Sequence, residues 1–180
     1  MRSGMTRNFF GAAIAGVALA CCAGALVAPV PASAWMMDLG IDRIAERSDS
    51  VIRGDVLSRT SRRSTDAPTP IVTDVVVSVS EVIAGRGPVQ GTVTIEVLGG
   101  EIVEEDIGLK VSDQPSFEVG EQAVLFLRKN MGRESYSTVA NRLGKIPVDG
   151  SRVMLKGGPT DLSSFKAMVR DLPVGSRVGR

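Results

Sequence analysis

One segment, Ile71 to Ile83, alternates branched apolar residues with more polar ones along its whole length. Its odd-numbered positions are mostly Ile and Val, whereas the other face also carries Asp74, Ser78 and Ser80. Side chains of a β-strand point alternately to opposite sides, so this pattern predicts a long strand with one buried face. A Gly-Pro turn follows at residues 85–88, and residues 92–98 alternate again. The two segments therefore predict a β-hairpin.

Further strand-like segments recur at intervals of about ten residues, with turn residues between them. The predicted strands are residues 51–58, 71–83, 92–98, 101–111, 123–128, 136–142, 145–148 and 152–155. Apolar residues at helical spacing predict helices at 37–47 and 160–172, the second capped by Thr160 or Asp161. Together these elements predict a mainly β domain, either a small barrel or a sandwich, flanked by two helices.

The first residues have the pattern of a secretory signal peptide. Arg2 and Arg7 precede a long apolar run, and Ala32-Ser33-Ala34 provides the small residues that signal peptidase accepts. We therefore expect residues 1–34 to be a leader, residues 35–172 a single barrel domain and residues 173–180 a disordered tail. The alternatives are a membrane anchor, or a lipoprotein acylated at Cys21. Cleavage after Ala34 predicts an extracytoplasmic protein, secreted, periplasmic or in the cell envelope, with no membrane contact.

The expected mature chain contains neither cysteine nor histidine, because both cysteines, Cys21 and Cys22, lie in the leader. This removes the commonest nucleophile–base pairs and nearly all zinc sites, so we expect no enzymatic activity, no metal and no cofactor. An exported domain without disulfides fits a bacterial source. Of 21 basic residues, Arg2 and Arg7 leave with the leader, so 19 remain against 20 acidic ones. Such a nearly neutral chain is not expected to bind nucleic acid.

Three short motifs have possible chemical readings. Residues 163–166 match the S-x-x-K of penicillin-recognising enzymes, although the partner motifs are absent. The acidic residues of segment 101–106 could bind calcium, but they lack the spacing of a calcium loop. Arg53-Gly54-Asp55 spells an adhesion tripeptide inside a predicted strand. We expect the three motifs to be a surface helix, a solvated acidic edge and strand residues respectively.

A polar segment at residues 59–70 is rich in Ser, Thr, Pro and Arg, and its composition predicts a long mobile loop. It carries the one basic cluster, Arg59, Arg62 and Arg63, together with Asp66. Long loops on small barrels often bind partners. These four residues are therefore the candidate partner-binding residues, with Trp35 at the expected new N-terminus.

Three segments also have the order and spacing of a known barrel family. Residues 48–56 (SDSVIRGDV) resemble the opening strand of netrin-like domains, the group that includes tissue inhibitors of metalloproteinases. Residues 75–85 resemble their second strand and turn, and residues 117–127 resemble a segment common in disulfide-free bacterial relatives. Over residues 48–150 the resemblance implies a closed, OB-like barrel of five to six strands with a short helix at each end.

The resemblance implies a protein partner, because animal inhibitors of this group bind the zinc of their target protease. They do so through an N-terminal cysteine, whereas the residue expected here is Trp35. The segment at 59–70 occupies the place of the family's partner-contacting loop. We therefore expect a monomeric, exported, non-enzymatic protein-binding module, with an extracytoplasmic metalloprotease as one candidate partner. The alternative is a structural or ligand-binding barrel of the cell envelope.

Overall fold

The computed structural model describes residues 40–65, 70–87 and 91–176. The expected leader lies outside the described residues. The predicted mainly β fold with two helices is confirmed, and the described residues contain ten strands where the sequence predicts eight. The strands are β1 (Ser50–Arg63), β2 (Ile71–Gly85), β3 (Thr92–Leu98), β4 (Gly100–Ile102), β5 (Ile107–Leu109), β6 (Gln122–Lys129), β7 (Ser135–Thr138), β8 (Lys145–Asp149), β9 (Arg152–Leu155) and β10 (Gly158–Asp161). The helices are α1 (Ile41–Glu46) and α2 (Leu162–Arg170).

The main sheet has the strand order β1-β2-β3-β7-β6-β8-β9-β10, and β1 pairs additionally with β6. Strands β3 and β7 run parallel, and the other pairings in the described part of the chain are antiparallel. The hairpin predicted from residues 71–98 is the β2–β3 pair, in which Val75 faces Ile95. Strands β4 and β5 form a separate small hairpin.

The apolar residues form two buried clusters. The first packs both helices on the sheet, and Phe126 and Phe165 are its largest members. The second lies along β1, β2, β3 and β6 and includes Ile95 and Leu125. Residues 123–127 are continuously apolar and all buried, so this part of β6 is covered on both faces.

The main correction concerns the predicted loop at residues 59–70. Strand β1 does not end at Ser58 but continues to Arg63, paired with β2 down to Ile71. Residues 66–69 of the segment lie outside the described part. The polar composition of these residues predicts a loop. Residues 57–60 of β1 are exposed, however, and a strand that is exposed does not need to alternate apolar and polar residues.

Two other predicted strands are interrupted by turns. Segment 101–111 forms β4 and β5 separated by a 3-10 turn, where Asp106 has a positive φ of 52°. Segment 136–142 leaves its strand after Thr138, and Ala140 and Asn141 have φ values of 57° and 52°. The second helix begins at Leu162, and Asp161 caps it by accepting from the Ser164 amide at 3.0 Å.

Candidate functional site

The outer half of β1 has one unpaired edge. From Ser50 to Asp55 the strand lies between β2 and β6, but beyond Val56 it pairs with β2 alone in the described part of the chain. The Ser64 amide donates to the Pro70 carbonyl at 2.9 Å, which makes these two residues a hydrogen-bonded pair. Such pairs alternate along an antiparallel ladder. The backbone groups of residues 60 and 62 therefore face β2, and those of residues 59, 61 and 63 face the free edge.

The same alternation separates the three arginines of the predicted basic cluster. Arg62 projects from the opposite face to Arg59 and Arg63. Its Nε atom donates to Asp74 Oδ2 at 2.5 Å and its Nη2 atom to Glu96 Oε2 at 3.1 Å. The bond to Asp74 raises the pKa of Arg62 above its ordinary value. The three arginines thus do not form one basic surface.

The face that carries Arg62 holds a compensated charge network. Glu96, whose side chain is only 12% exposed, also accepts from Arg133 Nη1 at 2.7 and 2.8 Å. The network joins β1, β2 and β3 to the turn between β6 and β7 and borders a cavity of about 350 Å³. Because carboxylates already neutralise the cations, this face offers little net charge to a partner.

On the other face, Arg63 and Ser61 hold the β4–β5 hairpin against β1. The Nε atom of Arg63 donates to Glu105 Oε2 at 2.9 Å, and this bond raises the pKa of Arg63. Ser61 Oγ accepts from the Glu101 amide at 3.3 Å and lies 3.0 Å from Thr73 Oγ1. Gly100 has no room for a side chain, since a Cβ would lie 2.2 Å from Thr73 Oγ1.

Between this hairpin and β1 lie two adjoining cavities, of about 190 and about 610 Å³. They share Arg59, Thr73, Gly100, Leu109 and Lys110. We call them together the β1 groove. The smaller cavity has a buried apolar floor, formed by the residues Val75, Val97 and Phe117. The larger cavity is lined in addition by Ser61, Glu101, Val103 and Gly108.

Two cations from distant strands position Phe117 in the floor. Arg59 Nη1 donates to the Phe117 carbonyl at 3.1 Å. Lys145, on β8, lies 4.7 Å from the centre of the Phe117 ring and donates to the neighbouring Ser116 carbonyl. Its Nζ atom also lies 2.6 Å from Glu121 Oε2, and its side chain is only 9% exposed. Contacts with Arg59 on β1 and with Lys145 on β8 therefore hold the Phe117 part of the floor in place.

Arg59 and Lys110 form no ion pair among the described residues. Arg59 donates to a neutral carbonyl, and Lys110 is exposed at the end of β5. Both line the smaller and the larger cavity. Glu101 is the carboxylate that borders the groove, and it lines the larger cavity alone. The part of the groove shared by the two cavities is thus positively charged.

The tripeptide Arg53-Gly54-Asp55 lies within β1, where Arg53 and Asp55 are hydrogen-bonded to neighbouring side chains. Gly54 is buried, and Arg53 Nη2 donates to Gln122 Oε1 at 3.0 Å. Asp55 accepts from Gln122 Nε2 at 2.6 Å and from Ser80 Oγ at 2.7 Å. A strand paired on both sides does not present the tripeptide as a loop tip would.

The two other motifs have structural partners. Ser163 Oγ donates to Asp161 Oδ1 at 2.5 Å, whereas Lys166 Nζ donates to Glu81 Oε2 at 2.8 Å. The serine and the lysine of the S-x-x-K motif are therefore bonded to different groups. In the acidic segment Glu105 is paired with Arg63. No group of three or more acidic, Cys or His side chains that could hold a metal ion occurs in the described ranges.

Of the candidate partner-binding residues, Arg59 and Arg63 share one face, Arg62 lies on the other, and Trp35 and Asp66 lie outside the described residues. Sequence reasoning missed Lys110 and Phe117 as neighbours of Arg59. The only sequence signal was the long segment without alternation between Val111 and Glu121, which is long enough to cross the sheet.

In comparisons with known proteins, no family model matches the chain, and no curated protein shows significant similarity to it. Neither helix of the described residues has the length and apolar character needed to cross a membrane.

Proposed function

We propose that the chain is an exported, non-enzymatic binding module that captures an extended segment of another protein along the free edge of β1. The observation that carries this proposal is the edge itself. Residues 59, 61 and 63 direct backbone donors and acceptors away from β2, beside a groove with an apolar floor. Unpaired strand edges bind extended peptides through main-chain hydrogen bonds, while adjacent pockets select their side chains.

A closed OB-like barrel is the architecture we propose for the module. The pairings β1–β2, β2–β3, β3–β7, β7–β6 and β6–β1 lead from β1 back to β1. This circuit, with one parallel pair and flanking helices α1 and α2, agrees with the barrel implied by the netrin-like resemblance. Strands β8, β9 and β10 extend the sheet from β6, and the outer half of β1 extends beyond its pairing with β6.

The volume of the smaller cavity also supports a protein side chain as its ligand. By itself the smaller cavity, of about 190 Å³, is below the usual size of pockets for cofactors or drug-sized molecules, roughly 300–1,000 Å³, whereas the adjoining cavity of about 610 Å³ lies within that range. The smaller cavity is nevertheless several times the volume of roughly 30 Å³ that one water molecule occupies in the liquid. The cavity therefore has room for one apolar side chain of a docked strand.

Two proline substitutions in β1 test edge docking. Ser61→Pro removes an amide that faces the free edge, so we expect it to abolish peptide capture at a stability cost close to that of Ser61→Ala, which loses the same hydroxyl contacts. Thr60→Pro removes an amide that faces β2 and should cost about 2–3 kcal/mol of unfolding free energy. Ser61→Ala removes the hydroxyl but keeps the amide, and it controls for the bond to Thr73.

Peptides would be selected from a randomised display library for binding to the chain, and their binding would then be measured. The chain would be produced with its own leader. Selected peptides should lose binding to the Ser61→Pro variant and retain it with Ser61→Ala. Amides of residues 59, 61 and 63 should exchange hydrogen more slowly in the complex. Peptides that bind the Ser61→Pro variant equally well, or the absence of any selected peptide, would refute edge docking.

The partner class suggested by the resemblance is an extracytoplasmic metalloprotease. If this is correct, the full chain should slow hydrolysis of a quenched fluorescent peptide by such a protease, and Ser61→Pro should restore the rate. Unchanged hydrolysis in the presence of bound chain would remove inhibition from the proposal and leave capture in place.

A further inference from the structure

We infer that the β1 groove selects an extended segment in which an acidic side chain lies two residues from an apolar one. This inference rests on the proposed function, since it specifies which segment the free edge of β1 accepts. It follows from three properties of the groove: the direction of the side chains, the composition of the floor, and the charge at its rim.

The direction of the side chains comes from the strand geometry. Residues 59, 61 and 63 direct their backbone groups to the free edge and their side chains to the side of the β4–β5 hairpin. A strand added beside β1 continues the same pleat, so every second side chain of it points to the groove. Two neighbouring subsites in the groove therefore receive residues i and i+2 of the segment.

The floor of the smaller cavity defines the apolar subsite. Val75, Val97 and Phe117 are 1%, 7% and 3% exposed, and the cavity they line measures about 190 Å³. An apolar side chain gains about 25 cal/mol for each Å² of apolar surface that it buries there. A charged side chain would be disfavoured by the apolar lining.

The acidic subsite is set by Arg59 and Lys110. Both border the two cavities, and neither is paired with a carboxylate in the described part of the chain. Arg62 and Arg63, by contrast, are already bonded to Asp74, Glu96 and Glu105. A carboxylate placed between Arg59 and Lys110 would satisfy both cations, and the guanidinium of Arg59 still has donors beyond the one used by Phe117.

Glu101 gives the groove a polarity. It lines the larger cavity but not the smaller one, so an anion is disfavoured toward that end and favoured beside Arg59. Because opposite charges sit at different places along the groove, charge should fix the register of the docked strand as well as its affinity.

The test uses three synthetic peptides of about eight residues, a usual strand length. Each has alternating threonine and valine, with glutamate, glutamine or lysine both two positions before and two positions after the central valine, so that either chain direction is tested. Affinities for the full-length chain are measured by fluorescence anisotropy. We expect the glutamate peptide to bind about fivefold more tightly than the glutamine peptide, and the lysine peptide to bind least well. The preference should shrink at high salt.

Substitution of the cations locates the subsite. Arg59→Gln and Lys110→Gln should each remove most of the preference for glutamate, whereas Arg128→Gln removes an exposed charge on β6 and should leave it unchanged. Lys110 is exposed and makes no hydrogen bond or ion pair with the described residues, so its variant is informative even if Arg59→Gln unfolds.

The outcomes separate the two proposals. Equal binding of the three peptides, all lost in Ser61→Pro, would refute the acidic preference and leave edge docking intact. A glutamate preference that survives both cation variants would place the acidic subsite elsewhere and overturn the inference. Failure of all three peptides and of library-selected peptides to bind would overturn both proposals.

Discussion

Gly54, the central residue of the tripeptide Arg53-Gly54-Asp55, provides the sharpest test of how tightly β1 is packed. It lies opposite Val79 of β2 and Ala123 of β6. In the Gly54→Ala variant the new Cβ would lie 2.5 Å from the Ser78 carbonyl oxygen and 2.6 Å from a methyl of Val77. Ordinary contacts begin at 3.4 Å, so the neighbours must move by roughly 0.8–0.9 Å.

The cost of this movement can be set against the gain from replacing glycine. Overpacking of a closely packed site destabilises the folded state by about 1–3 kcal/mol. Replacing glycine by alanine also lowers the conformational entropy of the unfolded chain, which stabilises the folded state by about 0.4–1 kcal/mol. We therefore expect Gly54→Ala to lower the free energy of unfolding by about 1–2 kcal/mol and the melting temperature by roughly 4–8 °C. Urea denaturation followed by circular dichroism measures the first, and a thermal scan measures the second.

Gly157 is the matched control. It lies in the turn between β9 and β10, its φ is not left-handed, and a Cβ there would meet no atom within 4 Å. Gly157→Ala should leave stability unchanged or raise it by up to about 1 kcal/mol. If Gly54→Ala is as stable as Gly157→Ala, then β1 is not held as closely between β2 and β6 as these distances require.

Two further predictions concern charged side chains. The Ser163 hydroxyl and the Ser164 amide lower the pKa of Asp161. The charged form of Asp161 therefore stabilises the fold above about pH 4, which is the ordinary pKa of an aspartate, and this stabilisation is lost as the pH falls through the lowered pKa. The melting temperature of Asp161→Asn should thus be lower than that of the unsubstituted chain at pH 7, and the two should converge in acid. A difference in melting temperature that does not change with pH would contradict the role of the Asp161 charge. Lys145→Met leaves Glu121 without its cation and should cost about 2–3 kcal/mol in urea denaturation, whereas Lys129→Met, at an exposed pair, should change stability by less than about 0.5 kcal/mol.

The strands that the sequence predicted correctly are those with a strong burial pattern. Segment 71–83 alternates because one of its faces is buried, and residues 123–127 of segment 123–128 are continuously apolar because both faces are buried there. The C-terminal helix was recognisable from the spacing of Leu162, Phe165 and Val169, which are all buried, and from its capping Asp161. Local patterning is sufficient where burial and periodicity agree.

The outer half of β1 lacked such a pattern for a physical reason. Residues 57–60 are exposed, and the strand there is held by backbone bonds to β2 and by ion pairs rather than by apolar burial. Ser, Thr and Arg in this setting are indistinguishable by composition from a loop. The turns at Asp106 and Ala140 were missed similarly, because non-glycine residues there have positive φ values.

The separation of the arginines explains why a basic cluster in the sequence is a poor guide to a binding surface here. Arg59, Arg62 and Arg63 are neighbours along the chain, but the pleat of β1 sends Arg62 to the opposite face, and carboxylates more than ten residues away neutralise Arg62 and Arg63. Arg59 has no ion pair among the described residues, and Lys110, about fifty residues distant in the chain, lines the groove beside it. Whether a cation is available to a partner depends on the pairings made by folding, and the binding site that we propose uses the cations that these pairings leave without a carboxylate beside the unpaired strand edge.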